Sequence, residues 1–223
     1  MIYFIGPQLA MESSDIEYCT EQNAFDYLKS KRVMQVDTET TGLSFVDDTL
    51  LTIQVGTSEH QFVFDVRHKP TLPLVTLLLQ SRASKKILHN VSFDYKFLKA
   101  YGITLANVHD TMIVEKALTN GKDTQRGFFP LAGLLDRYLN VQMDKTQQTT
   151  FIDHEGEFTT QQIVYAAKDV EYLQSLRDFQ LKDADDQGLV QCVKLENAAV
   201  LAFSDIEYNG MLVNVDRWQE IAA

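Results

Sequence analysis

The stretch MQVDTETTGLSF, residues 34–45, places two carboxylates one residue apart at the point where an apolar run ends. Val33 and Val36 lie just before Asp37, as expected for the carboxyl end of a buried strand. Alternate residues of a strand point to the same face, so we expect Asp37 and Glu39 to face one spot. Like charges held together are costly unless a cation neutralises them or one acid keeps its proton. The pair is therefore half of a candidate site for a hard divalent cation, which prefers oxygen ligands.

The same stretch also has a purely structural interpretation. DTETTG can be a polar transition from a strand to a turn, with Gly42 at the bend. Taken alone, so short a motif favours this interpretation over a metal site. The choice depends on whether other acids occur where the fold can bring them to the same point.

Composition and charge narrow the classes of function. A chain of 223 residues with 45% hydrophobic and 23% charged residues can bury one sizeable core and need not be disordered. Its net charge of −11 argues against a uniformly basic surface for nucleic acid, so any such contact must be local. Four lysines are candidates for a small basic patch, although a solvated helix face is the more common role for each. They are Lys85, Lys86, Lys96 and Lys99.

The expected location is cytoplasmic, with no membrane partner. Cys19 and Cys192 are far apart and lack the spacing of a metal site, which is typical of free thiols in a reducing compartment. No apolar run approaches the length of a membrane span, and the first residues do not read as a secretory signal.

The first half of the chain predicts a small antiparallel sheet. A short strand at residues 16–20 precedes a helix that Thr20 can cap and that runs through Phe25 and Leu28. Three β-branched or apolar segments with short polar turns then favour an antiparallel meander. These segments are residues 33–37, 50–55 and 61–65.

From residue 72 onward the pattern alternates between helix and strand, which is typical of an α/β layer. Thr159 and Gln162 form a capping box that opens a helix whose apolar positions continue to Leu176. The other predicted elements are helices at residues 72–80, 93–101, 111–118 and 189–208, and strands at residues 86–89 and just before His109.

Two further stretches supply acids in suitable places. ILHNVSFDYKFL puts Asp94 after a strand and in the first turn of a helix, and QQIVYAAKDVEYL puts Tyr165 and Asp169 on one helix face. Each has an ordinary alternative: an acid near a helix start is favoured by the helix dipole, and Tyr165 can be a core residue with its hydroxyl at the rim. Asn90 or Ser92 can simply cap the helix.

Together these motifs resemble those of the DEDD superfamily of exonucleases. Asp37 and Glu39 match the DxE of the first motif, Asp94 the single acid of the second, and Asp169 the last acid of the third. Tyr165 lies four residues before that last acid. In this respect the sequence resembles the subclass of these exonucleases that uses tyrosine rather than histidine. Each part is weak alone, but their order and spacing agree.

The resemblance covers roughly residues 16–186 and implies an α/β fold, a ribonuclease H-like mixed sheet with flanking helices and a C-terminal helical extension. Within the superfamily the sequence looks most like the proofreading domain of family A DNA polymerases. Residues 195–221 look like the helical segment that links such a domain to a polymerase. We therefore expect an exonuclease domain at residues 1–187 and a helical connector at residues 188–223, the start of a polymerase domain on the same chain or the tail of a stand-alone nuclease.

The family's chemistry implies two Mg²⁺ or Mn²⁺ ions per site, one activating water and the other stabilising the leaving oxygen. On this basis the metal ligands are Asp37, Glu39, Asp94 and Asp169, with Asp37 bridging. Tyr165 orients the attacking water and transfers little proton directly, because a phenol has an ordinary pKa of about 10.

Seven further residues are predicted to contact the substrate by the same resemblance. Leu43 is expected to wedge against the terminal base, although core packing explains it equally well. A surface loop is the plainer interpretation of Lys145 and Gln148, which are expected to contact phosphate. The seven are Thr40, Thr41, Leu43, Asn90, Phe93, Lys145 and Gln148.

The resulting expectation is a metal-dependent 3′-5′ exonuclease that releases mononucleotides from single-stranded DNA 3′ ends, with proofreading as its role. One alternative is an RNA-trimming exonuclease like ribonuclease D, which shares all five motif residues. The other is a catalytically inactive nucleic-acid-binding or scaffold module, whose expected sign is the loss of an acid. All four acids are present.

Overall fold

The computed structural model describes residues 1–7, 9, 13–67, 72–120, 128–144 and 146–222. The strands are β1 (Ile2–Ile5), β2 (Ile16–Tyr18), β3 (Val33–Thr40), β4 (Leu50–Gly56), β5 (Gln61–Asp65), β6 (Lys85–Leu88) and β7 (Val108–Asp110). The helices are α1 (Glu21–Leu28), α2 (Pro73–Gln80), α3 (Val91–Ala100), α4 (Thr111–Leu118), α5 (Leu131–Leu139), α6 (Thr160–Glu171), α7 (Leu173–Asp186), α8 (Val190–Asn209) and α9 (Val215–Ala222). A short 3-10 helix spans Gln148–Phe151.

In the described residues the seven strands form one mixed sheet in the order β2-β1-β5-β4-β3-β6-β7. β4 is antiparallel to both β3 and β5, which confirms the predicted meander. β6 and β7 extend the sheet in parallel beside β3, as the alternating pattern predicts. β1 was not predicted: a four-residue apolar run has no distinctive period, and its pairing with β5 makes it a strand.

The sheet is covered on both faces because its central strands alternate their side chains. Met34 and Val36 of β3 pack into the larger core cluster, which includes side chains of α1, α2 and α3. Leu51 of β4 and Val63 of β5 belong to a second cluster, which includes residues of α6. All four are at most 2% exposed, as expected for the middle layer of a three-layer α/β fold.

The helix predicted from Thr159 through Leu176 is broken in the structure. α6 ends at Glu171 and α7 begins at Leu173. Gln35 of β3 accepts the backbone N–H of Gln174 at 2.7 Å, so a side chain from the sheet satisfies a donor at the start of α7. Apolar spacing continues across the break, which is why the sequence pattern did not show it.

The C-terminal extension packs on the domain through α8. Val193 and Val200 are 2% and 3% exposed, so the domain covers these side chains of α8. Phe203 is 62% exposed, and α9 contains no buried residue. None of the described helices, including the 20-residue α8, combines the length and apolarity needed to cross a membrane.

Candidate active site

The carboxylates of the DxE motif lie at the end of β3, on the face that α6 covers. An oxygen from each of Asp37, Glu39 and Asp169 lies within 4.8 Å of the corresponding atoms of the other two. Asp37 and Glu39 come together because two positions along a strand share a face. The structure therefore places acids from two distant parts of the sequence at one point.

Asp169 and Tyr165 are positioned by α6, whose start is specified locally. Thr159 accepts the N–H of Gln162, and the Gln162 side chain accepts the N–H of Thr159, which completes the predicted capping box. Ile163 is fully buried against the sheet. Because Tyr165 and Asp169 are four residues apart, packing of this helix turns both toward the end of β3.

Asp94 reaches the same strand from α3. It is 1% exposed, and its Oδ1 accepts a hydrogen bond of 2.6 Å from the hydroxyl of Thr38. Thr38 lies between Asp37 and Glu39, so the fourth acid is tied to the middle residue of the DxE motif. This contact joins the second motif to the first, and Asp169 joins the third motif to the same strand.

The electrostatics of the cluster favour a bound cation. Burial, followed by the charges of Asp94 and Asp169, raises the pKa of Asp37, and burial with the same two charges raises the pKa of Glu39. Burial raises the pKa of Asp94 to about 7, although the hydrogen bond from Thr38 opposes this shift. Such acids ionise together only with a counter-charge, and an all-oxygen donor set fits Mg²⁺ or Mn²⁺. The residues present therefore fit a divalent metal site.

The hydroxyl of Tyr165 stays protonated at neutral pH. Burial, followed by the charges of Asp169, Glu39 and Asp37, raises the pKa of this phenol above its ordinary value. A neutral phenol can donate one hydrogen bond and accept others, but it is a poor base. This hydroxyl can therefore orient a neighbouring molecule by hydrogen bonding and is unsuited to removing a proton from it.

An open cleft of about 730 Å³ leads to the cluster. Leu43 lies on its wall and is 86% exposed, so core packing does not account for this side chain. The cleft has apolar walls beside the acids, as expected for a site that binds bases next to phosphates. Other predicted contact residues on these walls are Thr40, Asn90, Phe93 and Gln148.

Two predicted contact residues are not placed on the cleft. Thr41 is held in the β3–β4 connection, where its hydroxyl accepts the N–H of Thr49 at 2.8 Å and its carbonyl accepts the N–H of Asp153. Lys145 lies outside the residues that the structure describes. The hydroxyl of Thr40, although on the wall, donates to the carbonyl of Gly42 at 2.6 Å, so it also stabilises the turn.

The lysines considered for a basic patch have other partners. Lys86 is fully buried in β6, not on a helix face, and its ammonium donates to the carbonyls of Ser81 and Ser84. Burial lowers the pKa of Lys86 to about 8. Lys85, also in β6, donates to Asn107 at 3.0 Å. The predicted strand at residues 86–89 is confirmed, whereas the solvated helix face considered for these two lysines is wrong.

The lysines of α3 are paired with acids of α8. Lys96 lies 3.1 Å from Glu207, and Lys99 forms an ion pair with Asp205. Both are on a helix, as predicted, but their charge is compensated in the folded chain. A phosphate would have to compete with these carboxylates for either ammonium group.

Three residues near the site were missed by the sequence argument. Thr38 holds Asp94, Gln35 supports the helix after Asp169, and Asp110 accepts backbone N–H groups at the start of α3. The acid before an apolar helix could have revealed Asp110 as the cap of α4. No local pattern indicates its contact with α3, because that contact joins separate segments.

Comparison with known proteins identifies the family. Residues 17–183 match the family model described as 3′-5′ exonuclease. The chain is 30% identical to DNA polymerase I of Aquifex aeolicus (strain VF5) over 225 residues, which cover 91% of this chain and 37% of that polymerase. The chain thus corresponds to little more than a third of the length of this relative.

Solved structures with a similar fold include nucleases. The apo form of a nuclease has a TM-score of 0.77 at 24% identity, over 94% of each chain. Brucella melitensis NrnC gives 0.76 at 21% identity, over 94% of this chain and 93% of its own. Escherichia coli RNase D, an exoribonuclease involved in structured RNA processing, gives 0.73 at 20% identity, over 98% of this chain and 54% of its own.

These structural similarities confirm the predicted ribonuclease H-like α/β class with its mixed sheet and flanking helices. The family match at residues 17–183 covers about three quarters of the chain and includes every motif acid. The chain therefore belongs to the 3′-5′ exonuclease family, as a DEDD-type hydrolase related to the proofreading domain of DNA polymerase I.

Proposed function

We propose that this domain removes mononucleotides from DNA 3′ ends with divalent metal ions and serves as the proofreading part of a family A DNA polymerase. The observation that carries the proposal is the approach of Asp37, Glu39 and Asp169 to within 4.8 Å, beside Asp94, at the floor of an open cleft. Among the described residues this group consists of carboxylates alone, which suits a hard cation and a phosphate ester.

We assign Asp37, Glu39, Asp94 and Asp169 as ligands of two Mg²⁺ or Mn²⁺ ions. When bound, such ions supply Lewis-acid stabilisation of the phosphoryl and leaving oxygens and lower the pKa of water. The raised pKa values of the carboxyls mean that metal binding would displace protons from the site. Thr38 holds one oxygen of Asp94 and so restricts the orientation of that carboxylate.

Tyr165 orients the attacking water in this assignment. Its phenol remains protonated because burial and three neighbouring carboxylates raise its pKa, so it acts as a hydrogen-bonding group and not as the base. The ring lies 6.1 Å from that of Phe151, which limits its freedom on the wall of the cleft. A fixed hydroxyl lowers the orientational cost of the reaction.

The cleft walls provide the contacts that would hold the terminal nucleotide. Leu43 and Phe93 offer apolar surfaces to a base, and Asn90 and Gln148 offer amide groups to polar atoms. Stacking on side chains tolerates any base, which suits an enzyme that must accept every 3′ end. We assign Thr40 and Thr41 to the turn that presents Leu43, and Lys145 remains a proposed phosphate contact.

DNA is proposed as the substrate because a 30% identical relative is a DNA polymerase. The RNA alternative has support from the fold, since Escherichia coli RNase D, an exoribonuclease, superposes on 98% of this chain. The connection to a polymerase domain at residues 188–223, following a nuclease domain at residues 1–187, is likewise a proposal. Completeness of the acid set argues against an inactive scaffold.

The test measures mononucleotide release from 3′-labelled single-stranded DNA and RNA of the same sequence. We expect faster release from DNA, loss of activity in a chelator and recovery with Mg²⁺ or Mn²⁺. Asp37→Ala should lose most of the activity while its circular dichroism stays that of the parent chain. Asp26→Ala, which removes an exposed acid on α1, is the matched control. Release from RNA alone would favour the trimming function, and full activity of Asp37→Ala would refute the site assignment.

A further inference from the structure

The start of α3 lacks a cap of its own. Asn90, at the N-cap position, has a φ of 72° in the left-handed region, and its side chain makes no capping hydrogen bond. The first N–H groups of a helix need acceptors from elsewhere, and a non-glycine residue with positive φ needs support from its surroundings. Asp94 lies one turn further along, so the geometry of this start decides where its carboxylate points.

Asp110 supplies the missing acceptors from β7. Its carboxylate accepts the N–H of Asn90 at 3.1 Å and that of Val91 at 2.8 Å. The same carboxylate caps its own helix by accepting the N–H groups of Met112 at 2.8 Å and Ile113 at 3.2 Å. It is 1% exposed, so one buried acid joins the starts of α3 and α4.

Asp110 is in turn held by α8. Its backbone N–H donates to Oδ1 of Asn197 at 2.6 Å, and the amide of Asn197 donates to the carbonyl of Val193 at 2.9 Å. Val193 and Val200 anchor this part of α8 in the core on either side of Asn197. A side chain from the C-terminal extension thus restrains the residue that supports α3.

α8 also contacts α3 directly, along its length. The Tyr95 hydroxyl donates to Asp205 at 2.8 Å, the Ser92 hydroxyl to Glu207 at 2.6 Å, and Lys96 to Glu207 at 3.1 Å. Such exposed pairs add little stability individually. Together they fix the direction of α3 relative to α8, whereas Asp110 fixes where α3 begins.

We propose that Asp110 is a positioning residue for Asp94, and that Asn197 of α8 keeps Asp110 in that position. This inference rests on the proposed function, in which Asp94 binds a metal ion. A shift at the start of α3 would displace Asp94 from Asp37 and Glu39 without removing any ligand. Partners that orient metal ligands are commonly worth about 10-fold to 100-fold in metal affinity.

Two substitutions distinguish a loss of Asp94 positioning from a loss of overall protein stability. Asp110→Ser keeps a short side chain that can cap α4 but cannot reach Asn90 and Val91. Asn197→Leu removes the acceptor for the Asp110 N–H without changing any charge. The matched control is Thr20→Ala, which removes a helix cap on α1, where Thr20 accepts the N–H of Asn23 at 3.2 Å.

The measurements use the full chain: melting temperature, Mn²⁺ affinity by titration calorimetry, and nuclease rate as a function of Mn²⁺ concentration. We expect Asp110→Ser to bind Mn²⁺ about 10-fold more weakly and to recover much of its kcat at saturating Mn²⁺. Asn197→Leu should show a smaller weakening in the same direction. Thr20→Ala should lower the melting temperature and leave Mn²⁺ affinity unchanged.

Wild-type Mn²⁺ affinity in Asp110→Ser would overturn the proposal. Weakened Mn²⁺ affinity in Asp110→Ser beside wild-type affinity in Asn197→Leu would overturn the part assigned to α8 and leave the support of α3 to Asp110 alone. If Asp110→Ser is too unstable to purify, Asn197→Leu decides the proposal by the same titration: a weakened Mn²⁺ affinity supports it, and wild-type affinity overturns it. An inactive parent chain that still binds Mn²⁺ would refute the proposed function separately, because the titration does not depend on turnover.

Discussion

α3 and α6 each carry an acid to the same cluster, but the two helices are started in different ways. α6 is capped within its own first turn by Thr159 and Gln162. α3 starts at Asn90 without a side-chain cap, and its first N–H groups are accepted by Asp110, from another strand. One helix start is thus specified by neighbouring residues and the other by the assembled fold. The difference predicts that the two helices, which carry the proposed metal ligands Asp94 and Asp169, respond differently to distant changes.

The largest expected effect comes from the acids themselves and does not depend on how their helices start. Asp94→Asn and Asp169→Asn should each lower the rate of single-turnover DNA cleavage by more than about 100-fold, because a lost ligand costs more than a lost partner of a ligand. Asp26→Asn serves as the control for an acid on the surface. An active Asp94→Asn variant would show that α3 contributes no essential ligand to the site.

Tyr165→Phe tests the side of the site that α6 carries. The substitution keeps the ring and deletes the hydroxyl that we propose orients water, so we expect a loss of about 10²-fold in the rate of the chemical step. Mn²⁺ affinity and melting temperature should remain those of the parent chain. Unchanged single-turnover cleavage would show that Tyr165 acts only in packing. Asp169 would then be the residue that α6 contributes to the reaction.

Low pH should destabilise the fold through β7, the strand that supports α3. Burial, with the nearby charges of Arg177 and Lys85, lowers the pKa of His109 to about 3 on β7, beside Asp110. Below pH 6.5 the unfolded chain binds a proton that the folded chain excludes, so the free energy of unfolding decreases as pH falls toward 3. From pH 6.5 to pH 5 this amounts to about 2 kcal/mol.

The comparison for this prediction is urea unfolding of the parent chain and of His109→Gln at both pH values. The variant should have the smaller decrease, because glutamine does not titrate. Equal decreases in the free energy of unfolding would show that groups other than His109 control the loss of stability at low pH.

The smallest expected effect belongs to the local cap of α6. Thr159→Ala should lower the free energy of unfolding by about 1 kcal/mol and the melting temperature by about 2–4 °C. The contacts of Ile163 and Ala166 with the sheet should still hold the helix, so Mn²⁺ affinity should stay unchanged. A weakened Mn²⁺ affinity in Thr159→Ala would remove the contrast with Asp110→Ser and show that both helix starts control the site.

Sequence patterns located the site residues better than they located their supports. The DxE pair, Asp94 and the Tyr165–Asp169 pair were identified by their resemblance to the DEDD motifs, and strand and helix geometry indicated which of these neighbours share a face. Thr38 illustrates the limit: its position between two acids was visible, but its hydrogen bond to Asp94 joins residues 56 positions apart. Lys86 is a further example, since nothing local showed that it would be buried in β6.

The sequence alone specified the central strand, the separate strands of the antiparallel meander, the capping box of α6 and the local motif around each of the four acids, since each of these depends on residues within a few positions of one another. The folded structure was needed to find the strand β1, the break before α7, the burial of Val193 and Val200, and the support of α3 by Asp110 and Asn197. These features arise when remote segments satisfy each other's backbone donors or cover each other's apolar surface. A local pattern indicates whether a segment can form a helix or a strand. The segments packed against it decide which of its polar groups are hydrogen-bonded and which of its apolar side chains are buried.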